Sequence, residues 1–252
     1  SISLSEKIGV SDASIIRFIR KLGFKGYADF RSEMSVRLAK QYSQAQQAAS
    51  LLPGEKYERT KKRLKKDSLI RDVSNYTLDN LENSFSRLDN QTVDQVVDIL
   101  LSSNRKFVVG FRGTASCAQY MSSRLVLLLP NIISLLHADA TALEAMVDIE
   151  TNDSLLMYSF SRHSEINYHL IDIAHKRGAK IILVTDSYTS PLASKADIVL
   201  IAKVNGLGFT NSYVAPLSIS EVILLAISNR ADSMCAKRIS MMDEVIQRSK
   251  LY

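Results

Sequence analysis

After residue 104 the chain repeats one pattern five times. Short apolar, β-branched runs follow one another: KFVVGF, NIISLL, SLLMYS, KIILVT and DIVLIA. Helical stretches separate the first four, and a shorter link through Ser190, Pro191 and Ala196 precedes the fifth. A strand with one solvated face alternates apolar and polar residues. These runs are apolar throughout, which requires burial on both faces. A parallel neighbour is reached only by a crossover long enough to hold a helix, so alternating strands and helices form a parallel sheet. The expected fold of residues 105–252 is therefore α/β: a five-stranded parallel sheet in a three-layer αβα arrangement.

The first 104 residues carry no such runs and read as all-α. Ser3 and Glu6 form an S-x-x-E capping box that starts a helix near Leu4, and Gly9 ends it. Ser11 caps a second helix from about Asp12 to Leu22, closed by Gly23. Leu4, Ile8, Val10, Ile15 and Phe18 are its apolar set, and small Ser5 lets the two helices cross closely. Two short helices joined by a glycine turn make a helix-turn-helix, whose second helix enters the major groove with its N-terminal residues at base edges. Asp12, Ala13, Ser14 and Arg17 are the candidates for base contact, and Arg20, Lys21 and Lys25 lie nearer the phosphates. A plain helical hairpin of another bundle shares the spacing. Charge weighs against it: residues 1–66 hold 15 Lys+Arg against 6 Asp+Glu, while the remainder holds 17 against 20. A basic head on a mildly acidic body suits a polyanionic partner.

Residues 28–50 read as a further helix, interrupted by Pro53-Gly54. KYERTKKRLKK (56–66) reads as a solvated helix face or linker able to add phosphate contacts. Residues 67–88 and 91–103 read as two more helices, with Asn90, or else Asp89, as the cap between them. The expected division is 1–55 for the helix-turn-helix domain, 56–104 for linker and dimerisation helices, and 105–252 for the α/β domain. No stretch reaches the roughly 18 unbroken apolar residues of a membrane span, since LVLLLPNIISLL is cut by Pro130 and Asn131. Cys117 and Cys235 stand far apart without CxxC or zinc spacing, which fits a reducing cytoplasm. No metal or cofactor is expected.

In open parallel sheets, ligands sit beyond the C-terminal ends of strands, near helix N-termini. Two loops stand there: GFRGTAS (110–116) after the first strand and SFSRHSE (159–165) after the third. Both offer hydroxyls and backbone N–H groups at a helix start, where free donors and the helix dipole favour an anion such as phosphate. A serine cap with no ligand is the competing reading. His137, after the second strand, is a further candidate, as are Glu144 and Glu221. The loop GLGFTNSYV (206–214) could fold over a ligand, with Asn211 and Ser212 at its tip.

Both halves resemble one known family. VSDASIIRFIRKLGFKGYADFR is similar to the N-terminal domain of the RpiR/MurR transcriptional regulators. The signature is carried by Val10, Ser11, Arg17, Phe18, Lys21, Leu22, Gly23, Phe24, Gly26 and Tyr27. In that family a further helix or two precede the motif, which implies residues upstream of Ser1. Residues 106–228 resemble a sugar isomerase (SIS) domain, the phosphosugar-binding module of the same family. Its S-x-S-G-x-T motif matches Ser159, Phe160, Ser161, Arg162, His163 and Ser164, and its G-T-S-like turn matches Arg112, Gly113 and Thr114. TDSYTSPLASKAD (185–197) matches the family's D-x-x-x-S-P-L-A-x-x-A-D. Arg162 departs from the pattern, standing where glycine is usual. An arginine there costs backbone freedom if the turn is left-handed, and supplies a guanidinium able to pair with phosphate.

The resemblance implies a DNA-binding regulator, a repressor, of a sugar catabolic operon. A phosphorylated sugar would control its DNA affinity, with an N-acetylhexosamine 6-phosphate favoured. The expected effector contacts are Arg112, Gly113, Thr114, Ser159, Ser161, Arg162, Ser164 and His137. The expected partners are operator DNA, the sugar phosphate, and a second copy in a homodimer or higher even oligomer. A sugar-phosphate isomerase is the alternative, with Glu144, Glu165 and His163 as possible bases. A nonspecific nucleic-acid-associated protein is a third reading, disfavoured by the two hydroxyl loops.

Overall fold

The computed structural model describes residues 11–34, 53–63, 68–208 and 210–249. The capping box at Ser3 and Glu6, the contacts of Leu4, Ser5, Ile8 and Val10, and residues 35–50 of the expected third helix lie outside this set. The chain forms two compact units, Ser1–Leu52 and Pro53–Tyr252.

In the first unit, α1 (Asp12–Lys21) starts at Ser11, whose Oγ accepts the Ser14 N–H at 3.2 Å. It ends at Leu22, and Gly23 follows with φ +91°. α2 covers residues 27–34, with Asp29 Oδ2 accepting the Lys25 N–H at 2.8 Å. Phe24 and Phe30 meet edge to face at 5.2 Å. The buried positions of α1 are Ile15 and Ile19. Phe18, expected in the apolar set, is 61% exposed. The reason is helical geometry: Ile15 and Ile19 are four apart and share one face, and Phe18 turns about 100° away from Ile19.

The second unit opens with α3 (Pro53–Arg63), α4 (Leu69–Phe85) and α5 (Asn90–Ser102). Pro53 and Gly54 open α3, where a proline's missing N–H costs nothing. Asp89, not Asn90, caps α5, because its carboxylate accepts the Thr92 N–H at 2.7 Å and Asn90 is already helical. The sheet follows as β1 (Lys106–Val109), β2 (Ile132–Leu135), β3 (Ser154–Tyr158), β4 (Lys180–Thr185) and β5 (Ile198–Ile201). The connecting helices are α6 (Ala115–Leu128), α7 (Ala140–Met146) and α8 (Glu165–Lys176), and α9 (Val214–Arg230) and α10 (Asp232–Ser249) close the chain.

The sheet is parallel throughout, in the order β2-β1-β3-β4-β5. Side chains alternate between its faces. Val108, Leu156, Tyr158, Ile182 and Val184 pack against α5, α6 and α9. Phe107, Val109, Leu155, Met157 and Ile181 pack against α7 and α8. This is the expected three-layer αβα arrangement, and the burial of both faces accounts for the unbroken apolar runs. α4 packs beside α9 and belongs to this unit.

One polar group ties the lower edge of the sheet. Asp153, 2% exposed, accepts the Arg105 and Glu150 N–H groups at 3.0 and 2.9 Å and takes a 2.6 Å bond from Arg105 Nη2. Burial alone would raise its carboxyl. The Arg105 side chain and the two N–H groups outweigh that and hold it below the usual carboxylate range. The folded value is depressed, so the pair stabilises fully above the unfolded carboxylate value of about 4, and that contribution is lost as pH falls through the folded value. Asp153→Ala should cost about 3 kcal/mol at neutral pH, the low end for a buried pair, because Arg105 is a third exposed. Urea denaturation at pH 7 and pH 3 should show the gap between parent and variant shrinking in acid.

Candidate functional site

β1 and β3 are neighbours in the sheet, yet the chain leaves them in opposite directions. α6 packs on one face and α8 on the other. The two loops part at the strands' C-terminal ends and leave a cavity of about 350 Å³. This is the topological switch point of an open α/β sheet. Of the expected effector contacts, Arg112, Gly113, Thr114, Ser159, Ser161, Arg162 and Ser164 all line it.

His137 does not. It follows β2, the edge strand, one strand away from the crevice, and it is exposed. Neither Glu144 nor Glu165 lines the cavity, and Glu221 instead accepts the Tyr120 hydroxyl at 2.7 Å. The loop 206–214 supplies Thr210, Asn211 and Tyr213 to the wall, while Ser212 turns its N–H to the Val204 carbonyl at 3.1 Å.

The first loop is a 3-10 turn, Arg112–Thr114. Thr114 closes it, its Oγ1 accepting the Phe111 N–H and donating to the Phe111 carbonyl, both at 2.9 Å. Gly113 lies close to Tyr213: a Cβ there would stand 2.5 Å from its hydroxyl, so that side chain would have to shift. Tyr213 also lies 6.0 Å from the Phe160 ring, so one aromatic side chain bridges the two loops.

The second loop resolves the question raised by its arginine. Arg162 has φ +68°, in the left-handed region, and Arg112 has φ +55°. The loop therefore keeps the backbone shape that glycine would adopt most easily, and bears a strain of about 1–2 kcal/mol for an L-residue. What it gains is a second arginine in the cavity lining, with the Asp186 carboxylate standing behind it on Ser161.

The three serines differ in what they hold. Ser159, 2% exposed, accepts from Asn167 Nδ2 at 2.7 Å and shares a 2.7 Å bond with His163 Nδ1. His163 Nε2 pairs with Ser190 Oγ at 3.2 Å. Burial pushes the imidazole below its ordinary value, with Asp186 opposing, so His163 is neutral at physiological pH. Ser161 donates its hydroxyl to Asp186 Oδ2, with its N–H 3.3 Å from Oδ1. Ser164 stands at the N-cap of α8 but makes no side-chain capping bond. Ser164 thus occupies the cap position without a side-chain capping bond, while Ser159 and Ser161 bond to other side chains.

Asn167, Asp186, Phe160 and Tyr213 were not among the expected site residues. Asn167 had a local signal: it follows Ser164 by three residues and shares its face in the first turn of α8. Asp186 opens the 185–197 motif and Tyr213 lies in the 206–214 loop, so their segments were flagged although neither residue was singled out.

On α1, Ala13, Arg17, Arg20 and Lys21 are exposed, as is Lys25 beyond it. Ala13, Arg17 and Arg20 fall on one face by their spacing. Ser14 and Asp12 are half-buried, and Arg17 Nη2 lies 3.4 Å from Ser14 Oγ. The surface opposite Ile15 and Ile19 is thus basic.

Comparison with known proteins agrees with this architecture. The model of the SIS domain matches residues 99–226, and that of the helix-turn-helix domain of the rpiR family matches residues 1–41. An uncharacterized HTH-type transcriptional regulator of Haemophilus influenzae is 26% identical over 202 residues, 79% of this chain and 66% of that protein. The HTH-type transcriptional regulator RpiR of Escherichia coli is 24% identical over 200 residues, 78% of this chain and 62% of that protein. The chain spans about two thirds of the length of these curated relatives. Among solved structures, the sugar isomerase domain of an RpiR transcription factor from Sphaerobacter thermophilus superposes with a TM-score of 0.68 at 22% identity, covering 70% of this chain and 99% of that one. Vibrio vulnificus NanR complexed with ManNAc-6P gives 0.63 at 18% identity, covering 99% and 86%. At these identities the structures share the fold. The SIS match takes in half of the chain and the helix-turn-helix match the residues before it, so the chain belongs to the rpiR family of helix-turn-helix proteins that carry a SIS domain.

Proposed function

We propose that this protein is a DNA-binding transcriptional regulator, a repressor of a sugar catabolic operon, whose DNA affinity is set by a phosphorylated sugar held in the cavity between β1 and β3. The observation that carries this reading is the convergence of two helix-start loops, two arginines and several hydroxyls on one cavity. Such a site favours a compact dianion on an otherwise neutral, hydroxylated body. A volume of about 350 Å³ accommodates a hexose phosphate. An N-acetylhexosamine 6-phosphate is the favoured effector, as in sialic acid or amino-sugar catabolism. The solved NanR complex, which holds ManNAc-6P in a chain of the same fold, supports that choice.

Binding without catalysis fits the site better than isomerisation. An isomerase needs a base beside the reacting carbons. Of the three possible bases only His163 lines the cavity, and both of its ring nitrogens are already bonded, to Ser159 and Ser190. The regulator acts as a homodimer or higher even oligomer in the cytoplasm. A single helix-turn-helix reads few base pairs, and paired half-sites about 34 Å apart supply the rest. Apolar side chains left exposed, Leu127 and Leu225 beside Ile239, offer contact surface for a second copy. Among the described residues no single helix is long and apolar enough to cross a membrane.

The reading is tested with duplexes that the protein itself selects from a random pool, titrated by fluorescence anisotropy with and without N-acetylmannosamine 6-phosphate. A shift of midpoint with the sugar supports it, and isomerised product in the same mixture would favour the enzyme. Arg17→Ala should weaken binding to the selected duplex by about 1–3 kcal/mol if Arg17 reads a base, and leave sugar affinity unchanged in calorimetry.

Arg162→Gly should separate strain from binding. It removes a guanidinium that forms charge-assisted bonds worth about 1.5–3 kcal/mol, so sugar-phosphate affinity should fall at least about tenfold. It also relieves the left-handed turn, so the melting temperature should be equal or higher. A large loss of stability would place Arg162 in the fold rather than in the site.

A further inference from the structure

α4 buries the wrong residues for a helix packed on an apolar core. Its buried side chains are Asn80 and Ser84, whereas Ile70 and Leu78 are 87% and 60% exposed. Asn80 and Ser84 are four residues apart, so they share a face and lie about 6 Å apart along the axis. Both meet the main chain as it leaves β5. Ser84 Oγ accepts the Lys203 N–H at 2.8 Å. Asn80 Oδ1 accepts the Asn205 N–H at 3.2 Å, and Asn80 Nδ2 donates back to the Asn205 carbonyl at 2.7 Å. Two residues of extended chain span about 6.6 Å, which matches the helical spacing. β5 ends the sheet, and an edge presents alternate main-chain groups that need partners. α4 supplies with two side chains what a sixth strand would supply with its backbone. The next alternate residue, Leu207, has its carbonyl bonded by Thr60 of α3 at 3.2 Å.

The segment held in this way becomes the wall of the cavity. The Ser212 N–H bonds the Val204 carbonyl at 3.1 Å and closes 204–212 into a loop. Inside that loop Gly206 lies against Thr210, where any Cβ would overlap the Thr210 carbonyl oxygen. Thr210 and Asn211 then face the cavity, followed by Tyr213. The path from Asn80 to the cavity wall thus runs through direct contacts. We propose that Asn80 and Ser84 are positioning residues for the cavity, and that through them its occupancy is passed to α4. The inference rests on the reading of the cavity as a sugar-phosphate site. A ligand that draws Thr210, Asn211 and Tyr213 inward biases the two rungs at Lys203 and Asn205, and α4 follows because it is bonded to both.

Hydrogen exchange on the full chain tests this, with and without saturating N-acetylmannosamine 6-phosphate, in the parent, Asn80→Ala and Ser84→Ala. In the parent the sugar should slow exchange in 203–213 and also in α4. In Asn80→Ala the slowing at 203–213 should persist while the increment in α4 is lost. Ser84→Ala removes one rung and leaves the Asn205 pair, so it should reduce the α4 increment even if Asn80→Ala fails to fold. If the variants speed α4 exchange equally with and without sugar, leaving the increment intact, the two residues are structural only and the proposal is overturned. A parent whose loop is protected but whose α4 is unmoved overturns it as well. A parent with no protection at 110–116, 159–165 or 203–213 overturns the reading of the cavity itself, and this inference with it.

Discussion

The site depends on where a parallel sheet forces its chain to divide. Each crossover has to carry a helix, and right-handed crossovers let the chain cover the second face only by reversing its direction of travel along the sheet. Here the reversal falls between β1 and β3, which pair in register from Lys106 opposite Ser154 to Val109 opposite Met157. α6 is drawn to one apolar face and α8 to the other. Nothing fills the gap between the diverging loops, because each backbone is committed to its own face. The cavity is a by-product of burying two faces, and its lining combines exposed loop residues with the buried Ser159 and Asn167.

That freedom explains the tolerance for strain at Arg112 and Arg162. In a packed strand a left-handed residue would break the ladder. At a loop crest the cost is about 1–2 kcal/mol, and no ladder is interrupted. The hydroxyls follow a different logic. Ser159 is fixed by Asn167 and His163, and Ser161 by Asp186, so the second loop is shaped before any ligand arrives. A preorganised loop loses less entropy on binding.

The far wall of the cavity solves a different problem. Among the described residues β5 has no outer strand beside it, and an unpaired edge invites association with other strands. α4 covers the continuation of that edge with an amide and a hydroxyl, and leaves several of its own apolar residues outside. One helix thereby serves as edge cover and as support for the loop that completes the site. Its exposed apolar residues are the counterpart of that choice, since a helix that spends its inward face on polar bonds has its hydrophobic side left for other surfaces.

Much of this was legible in the sequence. The five strands could be read because burial on both faces writes itself into unbroken apolar runs. The two loops at Arg112–Thr114 and Ser159–Ser164 could be read because helix starts and strand ends are local features. At the start of α5 two neighbours, Asp89 and Asn90, both qualified as cap, and on α1 Phe18 was placed inward where the helix phase buries Ile19. What the sequence could not state was which distant residues meet. His137 stands at a strand end like the others, and only the strand order excludes it from the cavity. Asp186 and Tyr213 join the site through the sheet's register and the return of the chain after β5. Asn80 and Ser84 look like ordinary polar surface in a helix. They are buried because the edge of β5 needs hydrogen-bond partners, and that need exists only once the sheet is assembled. Composition and periodicity record what each segment buries. Which groups are left unpaired, and which distant side chain satisfies them, is decided when the segments pack.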